Sequence, residues 1–157
     1  LADDSVVGVS IMLIDAEVDH GPIVAALPAI LQWPMRASEL QVFLGEMGGE
    51  LLANTIPGWI DGTRLASAQK HQDATFTKKF IKEDGLLDLS GDPYKNFLKF
   101  CAFDNSIGTY IFIDKKNEKI RVRITDAKFQ DDAFTILKVI PEGRGEMNYA
   151  DFLRGVS

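Results

Sequence analysis

Acid–base chemistry needs a carboxylate or an imidazole held in a defined place, and Glu17-Val18-Asp19-His20-Gly21-Pro22-Ile23-Val24 offers both in one short stretch. Gly21-Pro22 between two apolar runs is first a turn signal, because glycine accepts positive φ and proline fixes its own. Local spacing therefore leaves two readings of Asp19: the first residue of a tight turn, or a member of an active site. His20 and His71 are far apart in the sequence and neither has a second ligand-type residue at metal spacing, so no metal site is expected. His71 reads as a solvated side chain. The GxSxG elbow, the P-loop, GxGxxG and HExxH are all absent.

The second chemical signal is a row of cations. Lys119, Arg121 and Arg123 alternate with Ile120, Val122 and Ile124. In a strand the three charges share one face, spaced about 6–7 Å apart, which suits a phosphate backbone. Lys115 and Lys116 precede them, and Lys78, Lys79 and Lys82 form another basic group. The competing reading is the solvent face of a half-buried strand.

The elements that must position these groups fall into two parts. Residues 1–75 hold 10 Asp or Glu against 3 Lys or Arg, whereas residues 76–157 hold 13 against 14, so an acidic part precedes a near-neutral one. That asymmetry suggests two modules with different partners. At 157 residues, 46% hydrophobic and 25% charged, the chain is sufficient for one good core or two small ones. It has no apolar run near the roughly 20 residues of a membrane span and no signal-peptide pattern, and a cytoplasmic setting is the default expectation. The single cysteine, Cys101, excludes an internal disulfide and reads as buried filler. A start at Leu1 rather than Met suggests that something upstream is missing.

Val6–Ile14 is short, apolar and β-branched, and Ile23–Ile30 reads likewise, its Pro28 pointing to an edge strand; together they predict a hairpin around the Gly-Pro turn. Ser38 and Gln41 fit a capping box opening a helix whose apolar face runs from Leu40 to Trp59 and stops at Asp61-Gly62. Gly45, Gly48 and Gly49 weaken its middle enough to allow two shorter helices. Thr63 to Gln72 reads as an exposed linker. Asp92-Pro93 then caps a short amphipathic helix through Tyr94, Phe97, Leu98 and Cys101, and Gly108–Ile113, Lys119–Asp126 and Ala133–Ile140 read as three strands of a small antiparallel sheet or barrel.

Three separated segments resemble a known family. Gly8 to Pro22, reading GVSIMLIDAEVDHGP, is similar to the last catalytic segment of folate-dependent formyltransferases. Ala74-Thr75-Phe76-Thr77-Lys78-Lys79 running into Lys82-Glu83-Asp84-Gly85-Leu86-Leu87-Asp88-Leu89 looks like the entry to their C-terminal module. Pro141-Glu142-Gly143-Arg144-Gly145-Glu146-Met147 with Asp151-Phe152-Leu153-Arg154-Gly155 resembles the ending of the methionyl-tRNA branch in particular, whereas the first two segments are shared with sugar formyltransferases.

The resemblance implies an α/β remnant of a Rossmann-like formyltransferase domain (residues 1–62), a linker (63–76) and a small oligonucleotide-binding-like barrel (77–157). It implies transfer of a formyl group from 10-formyltetrahydrofolate to the amino group of initiator methionyl-tRNA, with Asp19 as the catalytic aspartate and Asp15 in a structural role. The expected tRNA contacts are Lys78, Lys79, Lys82, Lys119, Arg121 and Arg123; no metal or membrane is implied. The family's catalytic asparagine and histidine belong upstream of Gly8 and are not found here, and His20 stands where a small polar residue is usual. Phe103 to Gly108 replaces a stretch usually rich in proline and tryptophan, and the barrel is short by roughly 20 residues, about a strand pair. The alternatives are a noncatalytic RNA-binding or assembly module and a sugar-nucleotide N-formyltransferase.

Overall fold

The computed structural model describes residues 6–115 and 118–155 of the chain. The described residues divide into two compact units, one of 6–33 with 39–78, the other of 34–38 with 79–115 and 118–155.

In the first unit, β1 (Val7–Met12) and β2 (Ile23–Ala29) make the expected antiparallel ribbon, from Val7 opposite Ala29 to Ile11 opposite Ala25, with a bulge before Met12 meets Ile23. Pro28 lies opposite Gly8. It is tolerated because a two-stranded ribbon has only edges. The connection is closed by the Leu13 N–H donating to the Pro22 carbonyl at 2.9 Å. A Cβ on Gly21 would come within 1.8 Å of the Leu13 carbonyl oxygen, so glycine alone lets the two arms of this turn approach.

α1 (Ala37–Ile60) is one unbroken helix of 24 residues rather than two. Its glycines lower propensity without interrupting it, and Pro57 sits in the last turn, before Gly62 at φ +75° ends the run. Ser38 lies inside the first turn instead of capping it, its hydroxyl donating to Asp104 within the second unit. Thr55 is the helix's one buried residue, while Val42, Phe43, Leu52, Ile56, Trp59 and Ile60 are exposed. The expected linker is partly structured: Ser67 pairs with Ile23 through two backbone bonds of 2.8 Å, and His71–Asp73 form a 3-10 turn.

The second unit holds the larger core. Asp92 accepts from the Tyr94 and Lys95 N–H groups at the start of α2 (Pro93–Phe103), a cap contributing about 1 kcal/mol. β3 (Thr109–Lys115), β4 (Glu118–Gln130), β5 (Ala133–Pro141) and β6 (Met147–Asn148) follow in spatial order, all antiparallel. Asp131 and Asp132, both with φ above +50°, make the tight β4–β5 turn. α3 (Tyr149–Arg154) closes the described chain. Phe100 and Cys101 of α2 pack with Ile111, Val122, Ile124, Ile136, Val139 and Phe152, and Val122 and Val139 are fully buried. The buried thiol of Cys101 is as expected.

The expected barrel is not formed: the four strands make an open sheet, with no pairing of β3 to β6 among the described residues. β6 is two residues long and reaches only Lys138 and Val139, while the far edge of β3 carries a single parallel bridge from Leu86 to Tyr110. Four strands, one of them so short, cannot supply the tilt and stagger that closure demands. No helix among the described residues is long and apolar enough to cross a membrane.

Candidate functional site

Asp19 sits at the tip of the turn with φ +54°, a left-handed conformation that aspartate tolerates better than most residues. Its carboxylate is exposed and takes no hydrogen bond or ion pair among the described residues. The backbone around it is held firmly: Gln69 Nε2 donates to the carbonyls of Asp19, at 2.9 Å, and Gly21, at 2.7 Å. A cavity of about 1020 Å³ opens here, lined among others by Glu17, Asp19, His20, Gln69, Lys70 and His71.

The histidines lie differently from the expectation. His71 is exposed, as expected, but its ring also stacks on that of His20, centroids 3.7 Å apart and planes within 9°. Sequence distance hid this stacking because the Ser67–Ile23 pairing folds the segment back. The Asp15 carboxylate meets His20 Nδ1 at 2.7 Å and also accepts from the Glu17 N–H at 3.0 Å. The hydrogen bond to His20 is the largest cause holding the Asp15 carboxyl below the usual carboxylate range, and the same bond raises the His20 imidazole. No group of three or more metal-ligating side chains occurs among the described residues.

In the second unit, β4 pairs with β3 so that Lys119 faces Asp114, Arg121 faces Phe112 and Arg123 faces Tyr110. The alternation is as expected, Val122 and Ile124 being buried on the opposite face. The cations, however, divide. Arg121 and Arg123 line a cavity of about 560 Å³ together with Lys82 and Arg144, whereas Lys78, Lys79 and Lys119 do not line it. Lys78 belongs to the first unit. Lys116 and the side chain of Lys115 lie outside the described residues.

None of the four cavity cations forms a side-chain hydrogen bond or ion pair among the described residues, although Glu142 shares the lining. The Arg121 guanidinium lies over the Tyr110 ring, 3.9 Å from its centroid, and its Nε is buried without a hydrogen-bond partner. Tyr110 in turn meets the exposed Phe112 edge to face at 5.5 Å. Converging unpaired cations raise one another's energy, and an anion entering between them relieves it. Arg144 was missed because it stands on the Pro141–Arg144 turn, 21 residues from Arg123; that turn is closed by the Arg144 N–H on the Pro141 carbonyl.

No protein-family profile matches the chain. Curated relatives do. The methionyl-tRNA formyltransferase of Chloroflexus aurantiacus is 40% identical over 112 residues, 71% of this chain and 36% of that protein. The enzyme of the same name from Helicobacter pylori strain P12 is 31% identical over 143 residues, 91% of this chain and 45% of that protein. The chain thus spans under half the length of these curated relatives.

Among solved structures, methionyl-tRNA formyltransferase from Clostridium thermocellum superposes with a TM-score of 0.64 at 17% identity over 90% of this chain and 58% of that one. HypX from Aquifex aeolicus in complex with tetrahydrofolic acid gives 0.70 at 16% identity over 96% of this chain and 30% of that one. The proposed sugar N-formyltransferase Rv3404c of Mycobacterium tuberculosis gives 0.59 at 25% identity over 78% and 54%.

Proposed function

The chain is a relative of methionyl-tRNA formyltransferases and matches part of their length; from that premise we propose that it supplies the Asp19 turn of a formyltransferase site and an RNA-facing module. The reaction is transfer of the formyl group of 10-formyltetrahydrofolate to the amino group of initiator methionyl-tRNA, in a protein that also carries the family's asparagine and histidine. The observation that carries the reading is sequence identity of 40% and 31% to enzymes of that name, extending in the second case across 91% of the chain. The same kinship supports a folate donor and a cytoplasmic role in translation initiation as parts of this reading.

The chemistry gives Asp19 its task. Attack of a neutral amine on a formamide-like carbon creates an oxyanion and a positively charged nitrogen, so a site needs donors for one and a proton route from the other. A carboxylate at a rigid turn can hold an imidazole protonated and, through ordered water, carry that proton away. Support comes from the unengaged Asp19 carboxylate on a backbone that Gln69 fixes at two carbonyls.

Sugar N-formyl transfer is the second reading, favoured by the 25% identity to Rv3404c. Against it stand the four unpaired cations and two neighbouring aromatic rings of the second unit, a combination suited to phosphates and stacked bases. The test is Asp19→Asn in the protein bearing the upstream segment, assayed with methionyl-tRNA and with a sugar-nucleotide amine. Turnover on methionyl-tRNA should drop by ~10²–10⁴-fold with folding retained, the range of an acid–base group. Activity within a few fold of wild type would return Asp19 to a turn residue, and activity on the sugar substrate alone would favour the second reading.

A further inference from the structure

Three interactions fasten the segment after Ser67 to the Asp19 turn. Ser67 and Ile23 exchange two backbone bonds, Gln69 donates to the Asp19 and Gly21 carbonyls, and the His71 ring lies on the His20 ring. The first two do not titrate. The third joins two imidazoles face to face at 3.7 Å.

We propose that His20 and His71 form a proton-operated clamp that positions the Asp19 turn, closed while the stacked pair carries at most one proton and opened by the second. The first proton has an obvious seat. Asp15 holds His20 Nδ1 at 2.7 Å, and an imidazolium so anchored stacks favourably on a neutral ring. A second proton sets two cations in parallel planes at van der Waals distance, where their repulsion is greatest.

The surroundings temper this without removing it. Asp15, Glu17 and Asp19 face the pair from the turn, and Lys70 and Asp73 from the 3-10 segment; these groups favour or oppose charge on the pair as a whole, but none lies between the rings. When the rings separate, Gln69 is left without its nearest support two residues away, and the carbonyls of Asp19 and Gly21 are released to solvent. His20 and His71 are thus positioning residues, acting on Asp19 through the backbone. The inference concerns the conformation of the turn and holds whatever reaction the turn serves.

The test is an NMR titration of the 157-residue chain from about pH 8 to about pH 5, the span over which imidazoles change charge. The ring resonances of both histidines and the hydrogen exchange of the Ile23 and Ser67 amides are followed in one sample. As the second proton binds, the mutual ring-current shift should collapse and the protection factor of both amides, exchange taken relative to the intrinsic rate at the same pH, should fall by roughly tenfold or more. His71→Phe keeps an aromatic surface that takes no proton, and should hold protection high through the whole range. His71→Ala should show low protection throughout. Rings that stay stacked with both protons bound, or protection factors indifferent to pH, would overturn the clamp, as would a wild-type fall in protection in His71→Phe. Should the variants fail to fold, the wild-type titration alone decides, since ring shift and protection must change together.

Discussion

Asp15 and His20 make the chain's stability depend on pH in a direction that can be worked out. The hydrogen bond between them raises the imidazole, so its contribution is fully present below the ordinary imidazole range and fades as pH rises through the folded value. The same bond lowers the carboxyl, so that contribution is present above the ordinary carboxylate range and fades as pH falls through the folded value. The pair is thus worth most between about pH 4 and about pH 6.5. Asp15→Asn should lower the melting temperature of the chain by a few degrees at most, since both groups lie at the surface, with the largest difference inside that window. A difference of equal size at about pH 9, where imidazole is neutral, would show that Asp15 acts through the Glu17 N–H instead. At this scale the sequence was informative about the turn and silent about its partners. Gly21-Pro22 announces a tight connection through backbone sterics, whereas His71 reaches His20 only because a strand-like bridge 44 residues along the chain, Ile23 to Ser67, returns the segment.

Elements were legible where a short-range rule decides them. Asp92-Pro93 caps α2 through its own next residues, and the alternation of cation and β-branched residue over 119–124 sets the two faces of β4 whatever lies beyond. Closure of the sheet was not legible, because it depends on the number and length of strands brought together from afar, and β6 proved too short to complete it. The same limit hid Arg144, whose neighbours in the cavity come from β4 and from Lys82. Regrouping the cations changes what is expected of each. In a protein that binds methionyl-tRNA, replacing Arg121, Arg123 or Arg144 by alanine should weaken binding and reduce the log–log salt slope by about 0.7–0.9 for every phosphate no longer neutralised. Lys119→Ala should do less, since that side chain stands opposite Asp114 and outside the cavity. A titration at several salt concentrations reads both quantities. Equal effects of Lys119 and Arg144 would mean that the strand row, and not the cavity, follows the phosphates.

For the whole molecule, the two units differ in how well each buries its own apolar surface. The second has a contiguous core between α2, α3 and the sheet, with Val122 and Val139 wholly enclosed. The first has a two-stranded ribbon, which alone is marginal in water, and a helix that leaves Trp59 43% and Ile60 78% exposed. Uneven burial of this kind implies uneven local stability. The chain should therefore bind a hydrophobic dye under native conditions and lose the protection of β1 and β2 amides before that of β3 to β5 as denaturant is raised. Limited proteolysis should cut first within residues 74–80, which are exposed and without regular secondary structure, and not within 63–70, where Ser67 and Gln69 are fastened to the turn. Phe76 and Phe80 offer sites for an aromatic-specific protease, and Phe76 is 92% exposed. Initial cleavage at Leu65 in preference to Phe76 would mean that the bridge to Ile23 opens readily in solution, and that the turn bearing Asp19 is held far less firmly than its hydrogen bonds require.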